Sequence, residues 1–193
     1  ESSQRIVFVN RRAPLQTQHE RFVGIDNHAA GREIVDWCQS QNFKHLALIH
    51  GDLNSSATRE RVAGFSEQCD RLGFHLAKTQ RETQKNMDHL NLGHAGMAKL
   101  VGTHKKLDAV FCTSDLIAYG AHRFLFENRP DLLSQIKLVG FDRSPMNDWI
   151  APWLNSVRVP YDTFGDAIVT ALESEEGCHL LLPHQWVPAG NLA

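Results

Sequence analysis

Short runs of aliphatic and β-branched residues alternate along this chain with longer segments in which apolar residues recur every three or four positions. The runs are typical of buried strands, and the three-to-four period is typical of amphipathic helices. The pattern predicts strands over residues 5–10, 23–25, 44–50, 74–79, 107–112, 136–140, 156–159 and 185–187. It predicts helices over 29–40, 57–72, 93–103 and 161–173, and one more that follows a cap at 113–115 and runs to about 127.

Strands and helices alternate at least four times in this prediction, which favours an α/β fold with a parallel sheet covered by helices on both faces. The polar loop after Asn10 and the region of Pro160 are the predicted places where the chain changes lobe. Residues 141–155 form an irregular segment. We predict that its Trp149 and Trp153 pack in the core of that loop rather than stack on a sugar.

Composition places the chain among ordinary soluble globular proteins, with 42% hydrophobic and 22% charged residues. The formal net charge is −2, so no overall basic field points to nucleic acid or to an anionic membrane. No apolar run in the sequence is long enough to span a bilayer. We predict that Cys38, Cys69 and Cys112 are buried small hydrophobes, which favours a reducing cytoplasm.

The most informative residues lie immediately after the predicted strands, because ligands of open α/β sheets bind at the carboxyl ends of the strands. Hydrogen-bonding groups and one aromatic ring occupy these positions, and Arg61 lies on the helix that follows the 52–58 loop. Such a set suits a polyhydroxylated ligand such as a sugar or a nucleoside. The predicted ligand-binding residues are Asn10, Ser55, Arg61, Ser114, Asp142 and Tyr161.

Structural roles remain open for several of these residues. Arg59 and Arg61 also fit a solvated first turn of a helix, and Asp142 fits a turn or a helix cap. Ser114 and Asp115 fit helix N-capping and nothing more. The functional interpretation is favoured because all the candidates fall on strand ends on one side of the sheet.

Motifs of catalysis and metal binding are absent from the sequence. It contains no GxSxG elbow, no GxxxxGK[ST] phosphate loop and no GxGxxG after the first strand. None of the 11 histidines has the HExxH spacing of a zinc site. We therefore predict a binding protein rather than an enzyme, with no cofactor and no metal; a hydrolase built from Ser114, Asp142 and a histidine is the open alternative that no motif supports.

Several segments, in order along nearly the whole chain, resemble the effector-binding domain of the LacI/GalR family of bacterial transcription regulators. The matching segments are FVNR (8–11), VGIDN (23–27), LALIHG (46–51), RERVAGF (59–65), LDAVFCTSDLIAYGA (107–121), IKLVGFD (136–142), VPYDTFGDAIVTAL (159–172) and LLP (181–183). The resemblance implies a type I periplasmic-binding-protein-like fold of two Rossmann-like lobes with parallel sheets. Residues 1–22 and 160–182 would then belong to an incomplete N-terminal lobe, and residues 23–158 and 184–193 to the C-terminal lobe.

The resemblance also assigns roles to individual residues. Arg61 matches the arginine that grips the effector, Asp142 the aspartate after the GF turn, and Asn10 a position that commonly touches the ligand. Ser55 lies in the variable effector loop, Ser114 stands where the family usually has Asn, and Tyr161 matches an aromatic position near the hinge. We expect Arg61→Ala to abolish ligand binding while changing the unliganded stability by no more than about 1 kcal/mol.

The family further implies a cytoplasmic sensor of a small-molecule effector, a sugar or a related polyhydroxylated compound. It implies a homodimer that makes no contact with a membrane and reaches operator DNA only through a headpiece that these residues do not include. The alternative is the substrate-binding protein of a sugar transporter, which shares this fold.

Overall fold

The computed structural model describes residues 5–13, 19–79 and 87–190. At residues 77–79 it describes the backbone only. Nine strands and six α-helices occur in these ranges, in an order that confirms the predicted α/β class. The strands are β1 Val7–Val9, β2 Arg21–Gly24, β3 His45–Ile49, β4 His75–Thr79, β5 Ala109–Cys112, β6 Lys137–Asp142, β7 Asn155–Arg158, β8 Cys178–Leu181 and β9 Gln185–Val187. The helices are α1 Asn27–Ser40, α2 Ser56–Leu72, α3 His89–Thr103, α4 Asp115–Asn128, α5 Asn147–Ile150 and α6 Phe164–Glu173.

Six strands form the large sheet, in the order β4-β3-β5-β6-β7-β9, and only β9 runs antiparallel to its neighbour. Its central strands are buried on both faces, which explains their continuous apolar sequences. Leu46 and Leu48 face α1 and α2, while Ala47 and Ile49 face α3 and α4. The carboxyl ends of β3, β5 and β6 therefore meet at one edge of the sheet.

Three parallel strands form the small sheet, in the order β1-β2-β8, and α6 packs against it. All of β2 pairs within this sheet, with Val23 opposite both Val9 and Leu180. A boundary between residues 22 and 23, where the predicted lobes meet, would therefore cut through a strand. Residues 1–4, 14–18, 80–86 and 191–193 of the predicted lobes lie outside the described ranges.

Side-chain caps define where the helices begin. Asp26, Ser55, Asp88 and Ser114 each accept a hydrogen bond from a backbone N–H in the first turn of α1, α2, α3 and α4. The second of these helices ends at Gly73, whose φ of 71° is the left-handed conformation that glycine adopts most easily. Capping signals in the sequence therefore located the helix starts that follow β2 and β5.

The structure differs from the sequence prediction in three elements. The α3 helix begins at His89 rather than at residue 93, a short α5 helix interrupts the 141–155 segment, and β8 was not predicted. Strand β8 was not predicted because its residues alternate between half-buried and exposed at the edge of the small sheet, so they form no continuous apolar run. Cys38, Cys69 and Cys112 are buried in the core, as predicted.

The prediction that both tryptophans pack in the core of the 141–155 loop is wrong for Trp149. Trp149 is 87% exposed, because the α5 turn on which it lies presents it to solvent. Trp153 is partly buried and stacks on the ring of His122, with ring centroids 3.8 Å apart.

Candidate functional site

Arg61 lies in the second turn of α2 and is 5% exposed. Its Nε donates to Asn27 Oδ1 at 2.8 Å and its Nη1 donates to the carbonyl of Thr113 at 2.9 Å. The guanidinium stacks on Phe141, with Cζ 3.6 Å from the ring centroid. Among the described residues, Nη2 has no hydrogen-bond partner. Two of the three guanidinium nitrogens, Nε and Nη1, thus donate to the protein, and Nη2 can donate to another group.

Asp142 is the last residue of β6, and its carboxylate lies beside the fork, with Oδ1 3.7 Å from Arg61 Nη1. Tyr161 donates its hydroxyl to the same Oδ1 at 3.3 Å. Burial raises the pKa of Asp142, an effect that the positive charge of Arg61 opposes. The three sequence-predicted residues Arg61, Asp142 and Tyr161 therefore form one cluster, which we call the central triad.

Ser114 lies at the same edge of the large sheet but has a structural task. Its Oγ caps α4 by accepting from the N–H of Ile117 at 3.4 Å, and it also pairs with Nδ1 of His89 at 2.9 Å. The imidazole of His89 stands over Gly51 and lies close enough to Asp142 to lower the pKa of that carboxyl. Ser114 thus connects to the central triad through its neighbours.

Asn10 follows β1 in a left-handed conformation, with φ of 57°. Its N–H donates to the carbonyl of Val23, while its buried side-chain Oδ1 has no hydrogen-bond partner among the described residues. Burial lowers the pKa of Arg61, and the positive charge of Arg11, the residue after Asn10, lowers it further. Ser55, by contrast, caps α2 through Thr58 and makes no hydrogen bond to the central triad in the described structure.

Asp115 is a buried acceptor rather than the simple cap that the sequence suggested. It accepts hydrogen bonds from the N–H of Ser144 at 2.9 Å, from Ser156 Oγ at 2.7 Å and from Asn147 Nδ2 at 3.0 Å. A Cβ atom on Gly140 would lie 2.2 Å from Asp115 Oδ1, so only glycine at that position leaves room for the carboxylate. Asp115 thereby ties the end of β5 to the loop that follows β6.

Two cavities open beside the central triad. The first, of about 670 Å³, begins at Asp115 and Asp142 and runs between α4 and α5 to His122 and Trp153. The second, of about 330 Å³, contains Tyr161 and Arg158. The volume of the second cavity, which Tyr161 lines with the polar side chains of Arg158 and Asp162, suits a small molecule.

Sequence reasoning missed Asn27 and His89. The first was read as part of a cap, yet it is 1% exposed and holds Arg61. Its burial is a property of the folded chain, and its polar neighbours Asp26 and His28 gave no local sign of it. His89 was not found because the start of α3 was placed four residues too late.

The contacts of Arg61 also contradict the expectation that Arg61→Ala costs little stability. The substitution removes two hydrogen bonds, an ion pair and a stacked ring from a buried site. We now expect a loss of about 3 kcal/mol in the free energy of unfolding.

Within the part of the chain that the structure describes, no cluster of three or more His, Cys, Asp or Glu side chains could hold a metal ion. None of the helices in that same part has the length and apolar character needed to cross a membrane.

A parallel α/β sheet with a buried, partly unpaired arginine at the carboxyl ends of its strands defines a small-molecule-binding domain. Comparison with known proteins agrees with this class. The family model described as periplasmic binding protein-like domain matches residues 35–177. The chain therefore belongs to the periplasmic binding protein-like domain family, on the branch whose curated members are LacI-type transcriptional regulators.

One relative is the HTH-type transcriptional regulator MalR of Streptomyces coelicolor, which is 30% identical over 81% of this chain and 45% of its own length. The chain thus spans about half the length of the curated relatives it matches. A structure of the transcriptional regulator CelR in complex with cellobiose has a TM-score of 0.80 at 23% identity, over 96% of this chain and 58% of that one. The lac repressor dimer bound to operator and the anti-inducer ONPF has a TM-score of 0.75 at 20% identity, over 97% and 65%.

Proposed function

We propose that this domain binds a sugar or a related polyhydroxylated ligand at the central triad and is the effector-sensing part of a LacI-type transcriptional regulator. The observation that carries this function is the buried guanidinium of Arg61, whose Nη2 has no hydrogen-bond partner among the described residues and which lies beside Asp142. An arginine and a carboxylate side by side offer donors and acceptors to vicinal hydroxyls. The CelR complex with cellobiose, in a protein of the same fold, supports a sugar as the ligand class.

Support for a regulator rather than a transporter protein comes from the relatives, which are named as transcriptional regulators. We place the protein in the cytoplasm and assign it no catalysis. A net charge of −2 leaves operator DNA to a DNA-binding headpiece rather than to this domain. Ligand binding would alter the arrangement of two such headpieces, a coupling between separate sites.

We also infer that the domain works as a homodimer. Leu90, Leu116, Met146 and Ile150 are 48–55% exposed and line one cavity between α4 and α5, where Trp149 lies next to them on α5. We call these four residues the apolar strip. An apolar patch of this kind usually marks a contact surface. A second copy is the occupant we propose, because the similar lac repressor is described as a dimer.

A thermal-shift screen against pentoses, hexoses, disaccharides, sugar phosphates and nucleosides tests the ligand site. A compound that binds only the folded protein raises the unfolding midpoint, by about 2.7 kcal/mol of added stability at 100 times its Kd. We expect Asp142→Asn and Tyr161→Phe to abolish the shift, because both remove an oxygen contact at the site. Asp142→Asn also weakens the ion pair with the buried Arg61, so the ligand shift of each variant is measured against that variant's own unliganded midpoint.

Arg59→Gln is the matched control. Arg59 is exposed one turn from the site and donates only to the carbonyl of Leu53, at 2.9 Å. A compound whose shift survives in both Asp142→Asn and Tyr161→Phe binds elsewhere, and the assignment of the central triad is then wrong.

A further inference from the structure

Arg12, in the loop after β1, makes contacts on both sides of the boundary between the small sheet and α2. Its guanidinium lies over the ring of Phe22 on β2, with Cζ 4.3 Å from the centroid. On that same side, Nη1 is 3.9 Å from Oε2 of Glu20. These contacts fix the arginine to the small sheet.

The carboxylate of Glu20 is an unusual anchor, because its side chain is only 1% exposed. It accepts a hydrogen bond from the N–H of Ala13 at 2.8 Å, and Nε2 of His179 on β8 lies 3.0 Å from its Oε2. A buried carboxylate needs such partners, since an isolated charge would cost several kcal/mol of solvation. Glu20 thus ties the loop that carries Arg12 to both neighbouring strands.

The other side of Arg12 reaches α2, which packs on the large sheet. The N–H of Arg12 donates to Ser56 Oγ at 2.8 Å, and its Nε lies 3.4 Å from Oε1 of Glu60. Ser56 is the first residue of α2 and Glu60 is adjacent to Arg61. A hydrogen bond and an ion pair therefore connect the small sheet to the helix turns that present Arg61.

We propose that Arg12 is a positioning residue that ties the small sheet to α2 and so sets the separation of the two lobes in the unliganded protein. Its effect on the ligand site rests on the proposed function, whereas the tie between the sheets does not. The side chains of Arg12 and Glu60 are 22% and 31% exposed. Water can therefore hydrate the carboxylate of Glu60 on α2 when the ion pair between them opens. The apolar core shared by the two sheets keeps them together when it opens.

Pulsed dipolar distance measurements on the full chain, without any ligand, test this tie. Spin labels at Val169→Cys on α6 and Lys106→Cys at the opposite end of the large sheet would report the lobe separation, in a Cys178→Ser background because the other cysteines are buried. We expect Arg12→Gln and Glu60→Gln each to lengthen and broaden the distance distribution. The double variant should shift it no further than either single variant, because the two residues form one connection.

Two controls separate this tie from a general loss of stability. Arg59→Gln removes a neighbouring arginine that contacts only the 52–58 loop, and the distribution should keep its wild-type form. Arg12→Lys keeps the charge and should restore most of the wild-type distance. Glu60→Gln keeps the test available if Arg12→Gln fails to fold. Distributions that stay unchanged in both Arg12→Gln and Glu60→Gln would overturn the inference, whatever the ligand screen finds.

Discussion

At the scale of single residues, two buried charges at the sheet edge are stabilised in different ways. Arg61 has a counter-charge, Asp142, and a stacked ring, but part of its fork has no partner among the described residues. Asp115 forms no ion pair with a cation among the described residues; three neutral donors hold it, from the loop after β6, from α5 and from β7. We therefore propose Arg61 as a ligand contact and Asp115 as a residue that holds the loop of the site in place.

The pH dependence of stability tests the role of Asp115. Burial raises its pKa to about 6, although its three hydrogen bonds oppose the shift. Because the unfolded chain has the ordinary pKa near ~3.9, the folded protein binds the proton more tightly between these values. The contribution of Asp115 to stability is therefore fully present below about pH 4 and is lost as the pH rises through about 6.

Urea unfolding of the wild type and of Asp115→Asn from pH 4 to pH 7 measures this contribution. Relative to the variant, the wild type should lose up to about 3 kcal/mol over that range. Asp131→Asn is the control: Arg129 lowers the pKa of that carboxyl, so its difference from wild type should be flat between pH 5 and pH 7. A wild-type advantage that grows with pH would contradict the assignment of Asp115.

At the scale of elements, the position of Arg61 depends on how closely α1 approaches α2. A Cβ atom on Gly64 would lie 2.0 Å from the carbonyl oxygen of His28, and one on Gly31 would lie 2.5 Å from the carbonyl oxygen of Arg61. Backbone therefore packs on backbone at this crossing. The close approach brings Asn27, at the start of α1, to the Nε of Arg61.

We expect Gly64→Ala to lower the free energy of unfolding by about 1–3 kcal/mol, because the added methyl group must push two backbones apart. The gain of about 1 kcal/mol in helix propensity does not offset this. Gly102→Ala, on α3 with nothing within 4 Å of the added atom, is the matched control and should be neutral or stabilising. Denaturant unfolding compares the two variants, and equal effects would contradict the close approach of α1 and α2 at Gly64.

At the scale of the whole molecule, the apolar strip is the surface that a second copy is proposed to cover. Leu116→Glu and Ile150→Lys should each abolish the dimer, because a charge buried in an apolar interface loses its hydration without gaining a partner. Sedimentation equilibrium over a range of protein concentrations measures the effect. The control is Phe126→Glu, which adds a charge at a 66% exposed position of α4 outside the strip. A dimer that survives both strip variants would place the contact elsewhere.

The order of elements is determined by the sequence alone. Apolar runs such as AVFC predict buried parallel strands, and Gly73 marks the end of the predicted 57–72 helix where α2 ends. Resemblance to LacI-type regulators along nearly the whole chain added the family. These signals are local, since they depend on residues a few positions apart. The same locality explains why β8 was missed: its burial pattern arises from the sheet that it joins.

The candidate site was predicted only in part from sequence. Strand ends and the family pattern placed Arg61, Asp142 and Tyr161 together, but the geometry that distinguishes Arg61 from Arg59 exists only in the folded chain. Three groups hold the guanidinium: the side chain of Asn27, the ring of Phe141 and the carbonyl of Thr113. Each lies 34 or more positions from Arg61 along the sequence. Likewise, Arg12 meets Glu60 across 48 positions because two sheets pack side by side. Sequence determined which side chains reach the edge of the sheet; only tertiary packing decided which became buried, paired or free to bind.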